Sequence, residues 1–185
     1  MAHIKLSNEY HGLRGLLTYR SETAAPMAGL AQVLLNEPHA TLSAGERELI
    51  AAYVSSLNEC KFCTNSHSTI AKNHLNDGEQ VKQVLANYNT VPISAKLKVL
   101  LSIANKVQSG GENVLTADID LAKATGATDL EMHYTMLIAA TSCMFNRYVD
   151  GLAIWQPDDE AGNEVMAGHR VKTRYTVASL NINQN

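Results

Sequence analysis

Apolar residues recur along this chain in blocks with helical spacing, and the clearest block lies in its first third. Leu49, Ile50, Tyr53, Val54 and Leu57 fall on one face of a helix. Ser43 followed by Glu46 is a capping box that starts this helix, and the spacing carries it to about Asn58. Upstream, the first forty residues read as a turn-punctuated lead-in with one helix over Pro26 to Leu35. Pro26 suits its first position, Met27, Leu30 and Leu34 share a face, and Pro38 stops it. After a short break at Asn58 and Glu59, a second helix runs through His74 and ends in the polar turn Asn76-Asp77-Gly78. Further helices are expected over 78–86, 94–108 after Pro92, 116–124 and 129–155, the last with a break near Cys143. Gly110-Gly111 and Gly126 mark loops. From Gln156 onward apolar density drops, and 156–185 reads as a tail that either wraps a neighbouring subunit or is loosely held.

Composition agrees with helices. Aromatics are 5% of the 185 residues while Ala and Leu are plentiful, which favours packed helices over a sandwich of strands. The length suits one all-α domain, 1–155, followed by the tail. A formal charge of −3 and a pI near 6.1 provide no field that gathers phosphates, so nucleic acid is a poor partner. The first residues show no basic region followed by a long apolar run, so neither a signal peptide nor a membrane anchor is expected and the protein should be cytoplasmic. Three cysteines do not make the even framework of a secreted disulfide scaffold. Two of them spaced Cys-x-x-Cys in a reducing compartment indicate redox or metal chemistry.

Cys60, Cys63 and His67 stand at i, i+3 and i+7, on one side of a helix whose start holds the thiols. Unpaired amides and the helix dipole there favour an anion, which raises the thiolate fraction. A disulfide between residues three apart is feasible, so one thiol can attack and the other resolve. His67 lies one turn from Cys63 and can exchange a proton with it. Glu48 belongs to the preceding helix; if the two helices form a hairpin, its carboxylate can orient His67 or take up its proton. Phe62 and Tyr53 would supply apolar walls or ordinary core packing. The rival reading is zinc held by Cys60, Cys63, His67 and a distant glutamate, although no second Cys/His hook is present. Cys143 reads as a small buried apolar side chain.

The chain carries one candidate internal repeat. Glu48 lies twelve residues before Cys60 and Glu131 twelve before Cys143, and the same offset matches Phe62 with Phe145. In such a duplication the second copy has lost its chemistry, because Asn146 and Asp150 stand where the first has Cys63 and His67.

Glu48, then Cys60-Lys61-Phe62-Cys63-Thr64-Asn65-Ser66-His67, resembles the signature of the alkyl hydroperoxidase D-like branch of the carboxymuconolactone decarboxylase superfamily. The run Leu42 to Ser55 and the later Phe145 to Leu152 are similar to its peroxidase-related members, so the resemblance spans Gly12 to Leu152. It implies an all-α fold of helical hairpins assembled as a homo-oligomer. It also implies hydroperoxide reduction by the cysteine pair, with regeneration by a dithiol such as a lipoylated protein, and it requires no metal, flavin or nucleotide. Carried over by position, Cys63 attacks the peroxide, Cys60 resolves, and Glu48 with His67 forms the proton relay. Closeness to the helix start alone favours Cys60 as the nucleophile. The best-known hydroperoxidases of this type have a second histidine between the cysteines, where this chain has Lys61 and Phe62. That difference leaves room for a general thiol-disulfide oxidoreductase, and a structural zinc-binding interaction protein is the non-enzyme alternative.

Overall fold

The computed structural model describes residues 2–6, 8, 10, 12–39, 41–154, 162 and 175. Among these are eight α-helices and no strand: α1 (Gly12–Tyr19), α2 (Ser21–Leu35), α3 (Ala44–Leu57), α4 (Lys61–Leu75), α5 (Gly78–Asn87), α6 (Ala95–Ser109), α7 (Thr116–Ala124) and α8 (Asp129–Gly151). The proposed tail, 156–185, lies outside the described residues except for Gly162 and Tyr175.

α3 is the axis of the molecule. Every residue from Gly45 to Ser55 is buried except Glu46, so the helix is enclosed on all sides. It forms a hairpin with α4 and packs against α6 and α8. Leu49, Ile50 and Val54 meet Leu97, Leu100, Leu101, Ile138 and Ala139 in one continuous core. The capping box is present: Glu46 N–H donates to Ser43 Oγ at 3.2 Å and Ser43 N–H to Glu46 Oε2 at 2.8 Å.

The turn from α3 to α4 is fixed by local chemistry. Cys60 N–H donates to Ser55 O at 3.1 Å and Glu59 N–H to Ser56 O at 3.0 Å, the two bonds of a Schellman cap. The position that needs a left-handed backbone is Glu59, with φ 59°. The end of α7 repeats the pattern with Gly126 there (φ 86°), where no Cβ penalty arises. The α8 end uses Ala153 (φ 46°), and its Val149 and Ile154 both join the cluster around the cysteines.

Three sequence expectations change. Pro26 does not start a helix but lies inside α2, which begins five residues earlier. Its missing N–H removes one bond, to the carbonyl of exposed Glu22, where water can substitute. α1 was hidden in the supposed lead-in. α8 runs unbroken through Cys143 for 23 residues, because Ile138, Ala139, Ser142, Phe145, Asn146 and Val149 keep one face buried along it. Thus Glu131 and Cys143 share one continuous helix, whereas Glu48 and Cys60 lie on either side of a turn. The twelve-residue spacing is common to both without a common local fold.

Candidate active site

Cys60 is the N-cap of α4 and Cys63 its third residue. Both are free thiols and buried, in a small apolar cluster with Val149 that Leu13, Phe62 and Ile154 cover. Phe62 is therefore a wall of the site. Tyr53 is not: it packs in the main core, edge-on to Tyr88 with ring centroids 5.4 Å apart, and burial pushes its phenol up to about 12.

The hairpin brings Glu48 to His67. Glu48 Oε2 is 2.7 Å from His67 Nδ1. With the carboxylate as acceptor, Nδ1 carries the hydrogen and Nε2 becomes the basic nitrogen. Glu48 is buried to 1% exposure, and its other oxygen, Oε1, accepts the Tyr175 hydroxyl at 2.9 Å. The neighbouring buried cation, Arg47, turns away: its guanidinium donates to Leu34 O at 2.9 Å and Glu37 O at 2.8 Å, completing the C-terminal end of α2.

The two thiols are unequal. The Cys60 side chain hydrogen-bonds Cys63, and this contact lowers the Cys63 pKa; burial opposes it, while the charge on His67 and a hydrogen bond from Asn146 lower it further. Cys60 moves the other way, raised by that hydrogen bond, by burial and by the Asp150 carboxylate. Closeness to the helix start thus does not decide between them. The contacts push the Cys63 thiol down and the Cys60 thiol up.

α8 supplies what the sequence reading assigned to a decayed repeat. Asn146 and Asp150 face the cysteine pair rather than mark its loss. Asn146 is held by Asn58 Nδ2, which donates to its Oδ1 at 2.8 Å, and it donates to Ser55 Oγ at 3.1 Å. Cys143 is half-buried and accepts from Asn58 Nδ2 at 3.4 Å. Tyr175 was missed altogether: 127 positions separate it from Glu48, and no sequence period links them. Among the described residues no three His, Cys, Asp or Glu side chains form a group that could hold a metal ion. No described helix is long and apolar enough to cross a membrane.

Residues 21–91 match the carboxymuconolactone decarboxylase family. No curated protein matches the chain. Two solved structures are similar to it at 23% identity. An uncharacterized peroxidase-related protein from Silicibacter sp. TM1040 has a TM-score of 0.74 over 81% of this chain and 78% of that one. An uncharacterized peroxidase-related protein from Ralstonia eutropha JMP134, described as an alkylhydroperoxidase AhpD core, has a TM-score of 0.73 over 80% and 78%. The segment that matches this family, 21–91, contains Glu48, Cys60, Cys63 and His67, and it is set in an all-α fold similar to that of these two structures.

Proposed function

We propose that this protein is a thiol-dependent peroxidase that reduces hydroperoxides through Cys63 and Cys60, with Glu48 and His67 as its proton relay. The observation that carries this reading is a buried pair of free thiols at the start of α4, on the same helix as an imidazole that the Glu48 carboxylate anchors at 2.7 Å. His67 takes the Cys63 proton, and Glu48 stabilises the resulting imidazolium. The thiolate attacks the outer oxygen of the hydroperoxide and the O–O bond breaks. The departing alkoxide takes the proton from His67 and leaves as an alcohol, while Cys63 becomes a sulfenic acid. Cys60 then attacks the sulfenic sulfur; its proton and the sulfenic hydroxide leave as water, and the Cys60–Cys63 disulfide closes. An external dithiol, of the kind a lipoylated protein carries, returns both thiols and is itself oxidised to a disulfide.

In an assay that couples alkyl hydroperoxide consumption to a dithiol, His67→Gln should slow turnover about a hundredfold, the usual worth of a positioned base, and leave the helical content unchanged. Equal rates would remove His67 from the mechanism. The second reading, disulfide exchange without peroxide chemistry, is favoured by one feature: an apolar ring, Phe62, closes over the thiols where a second histidine would assist peroxide. Parallel rates with an aromatic disulfide and with a hydroperoxide separate the two.

A homo-oligomer belongs to the same proposal. Leu130, Leu137 and Met144 follow one another at seven-residue steps on α8 and are 51%, 38% and 43% exposed, a stripe suited to a second copy of this helix.

A further inference from the structure

Glu48 has two oxygens, and the relay uses one. With Oε2 committed to His67, a buried carboxylate still needs a partner for Oε1, or it rotates and loses its aim. That partner is Tyr175, the hydroxyl of which donates to Oε1 at 2.9 Å. Tyr175 is itself anchored at a second point, its backbone N–H donating to Gln32 Oε1 at 3.0 Å. Gln32 Nε2 in turn donates to Glu37 Oε1 at 2.8 Å, and the Glu37 carbonyl accepts from Arg47. Tyr175 also packs against the main core. A side chain far outside the 21–91 segment is thus held by its ring, its backbone and its hydroxyl against the hidden side of the relay.

We propose that Tyr175 is a positioning residue of the proton relay: its hydroxyl fixes the Glu48 carboxylate so that Oε2 holds His67 Nδ1–H and Nε2 stays directed to the thiol chemistry. Tyr175 acts on the thiol through Glu48. The inference rests on the reading of Glu48 and His67 as the relay of Cys63. Among the described residues, the charged or titratable groups that face Cys63 are Cys60 and His67 from α4 and Asp150 from α8.

The test is a titration of the Cys63 thiolate by its ultraviolet absorbance in the full-length reduced protein. The matching Cys63→Ser protein is subtracted in each background, and no peroxide is present. Tyr175→Phe keeps the ring and removes only the hydroxyl. It should leave the circular dichroism spectrum unchanged and raise the apparent pKa of Cys63 by about one unit, a tenfold loss of thiolate, which is the worth of one hydrogen bond to a charged group. His67→Gln should move it further in the same direction. In the His67→Gln background Tyr175→Phe should add nothing, because its route to the thiol is already cut. If His67→Gln shifts Cys63 and Tyr175→Phe does not, or if the two shifts simply add, Tyr175 is core packing and this inference falls alone. If His67→Gln leaves Cys63 unmoved, the relay reading fails and takes this inference with it.

Discussion

Asn146 shows how one amide can serve both stability and chemistry. Its oxygen accepts from Asn58, its nitrogen donates to Ser55, and it hydrogen-bonds Cys63. Asn146→Leu keeps the forked shape of the side chain and removes all three bonds. It should cost about 2 kcal/mol of stability, because Ser55 and Asn58 lose partners in the interior. It should also raise the Cys63 pKa and so slow alkylation of that thiol at neutral pH. Alkylation rates across pH, beside a denaturant titration, check both; an unchanged pH profile would limit Asn146 to a structural role. Cys60, Cys63 and His67 were legible as one side of a helix from their spacing, whereas Glu48 entered through a conditional hairpin and the family resemblance, and its 2.7 Å contact with His67 is a finding of the fold. Asn146 and Asp150 had been noticed in sequence but misread, since a linear comparison of copies cannot say which cysteines they face. Tyr175 left no trace, because nothing local dictates a contact made by chain folding across 127 positions.

Elements were most legible where side chains cap them. Ser43, Ser94 and Asp77 accept from the amide three residues on, and α3 to α7 begin within a residue or two of the places their sequences indicate. The two starts that were misread are at the beginning of the chain: α1 begins at Gly12, and α2 starts after Arg20 without a side-chain cap. The cap of α8 makes a pH prediction. Glu131 is fully buried; burial pushes its carboxyl up, but Lys96, Thr128 and Thr41 outweigh it and hold the pKa at about 2. Lys96 Nζ lies 2.6 Å from Oε1 and Thr128 N 2.8 Å from Oε2. A carboxyl depressed on folding contributes stability above its unfolded pKa, here 4.5, and loses it as pH falls through its folded value. Glu131→Gln should therefore be destabilised by about 3 kcal/mol at pH 7, a gap that narrows below pH ~4.5 and closes near pH ~2. Equal gaps at pH 3 and pH 7, measured by denaturant unfolding, would contradict the assignment.

At the scale of the whole molecule, the sequence reading anticipated the all-α architecture, because burial pattern and fold class are tied closely in helical proteins, but it gave α3 one apolar face where the structure encloses the helix, and it held the hairpin only as a condition. The apparent duplication did not become a repeated structure: a turn at Glu59 bends one copy and an unbroken apolar face keeps the other straight. If the exposed stripe on α8 joins copies, Leu137→Glu should shift the mass seen by light scattering from an oligomer to a monomer at micromolar concentration; a wild-type monomer would remove the assembly from the account. The central claim concerns the thiols. Reduced protein is treated with one equivalent of an alkyl hydroperoxide, quenched, and its cysteines mapped by mass spectrometry, with Cys63→Ser as control. The account predicts rapid formation of a Cys60–Cys63 disulfide that a dithiol reverses, with Cys143 left reduced and no oxidation of Cys60 in the control. Thiols that remain reduced in the wild-type protein would contradict it.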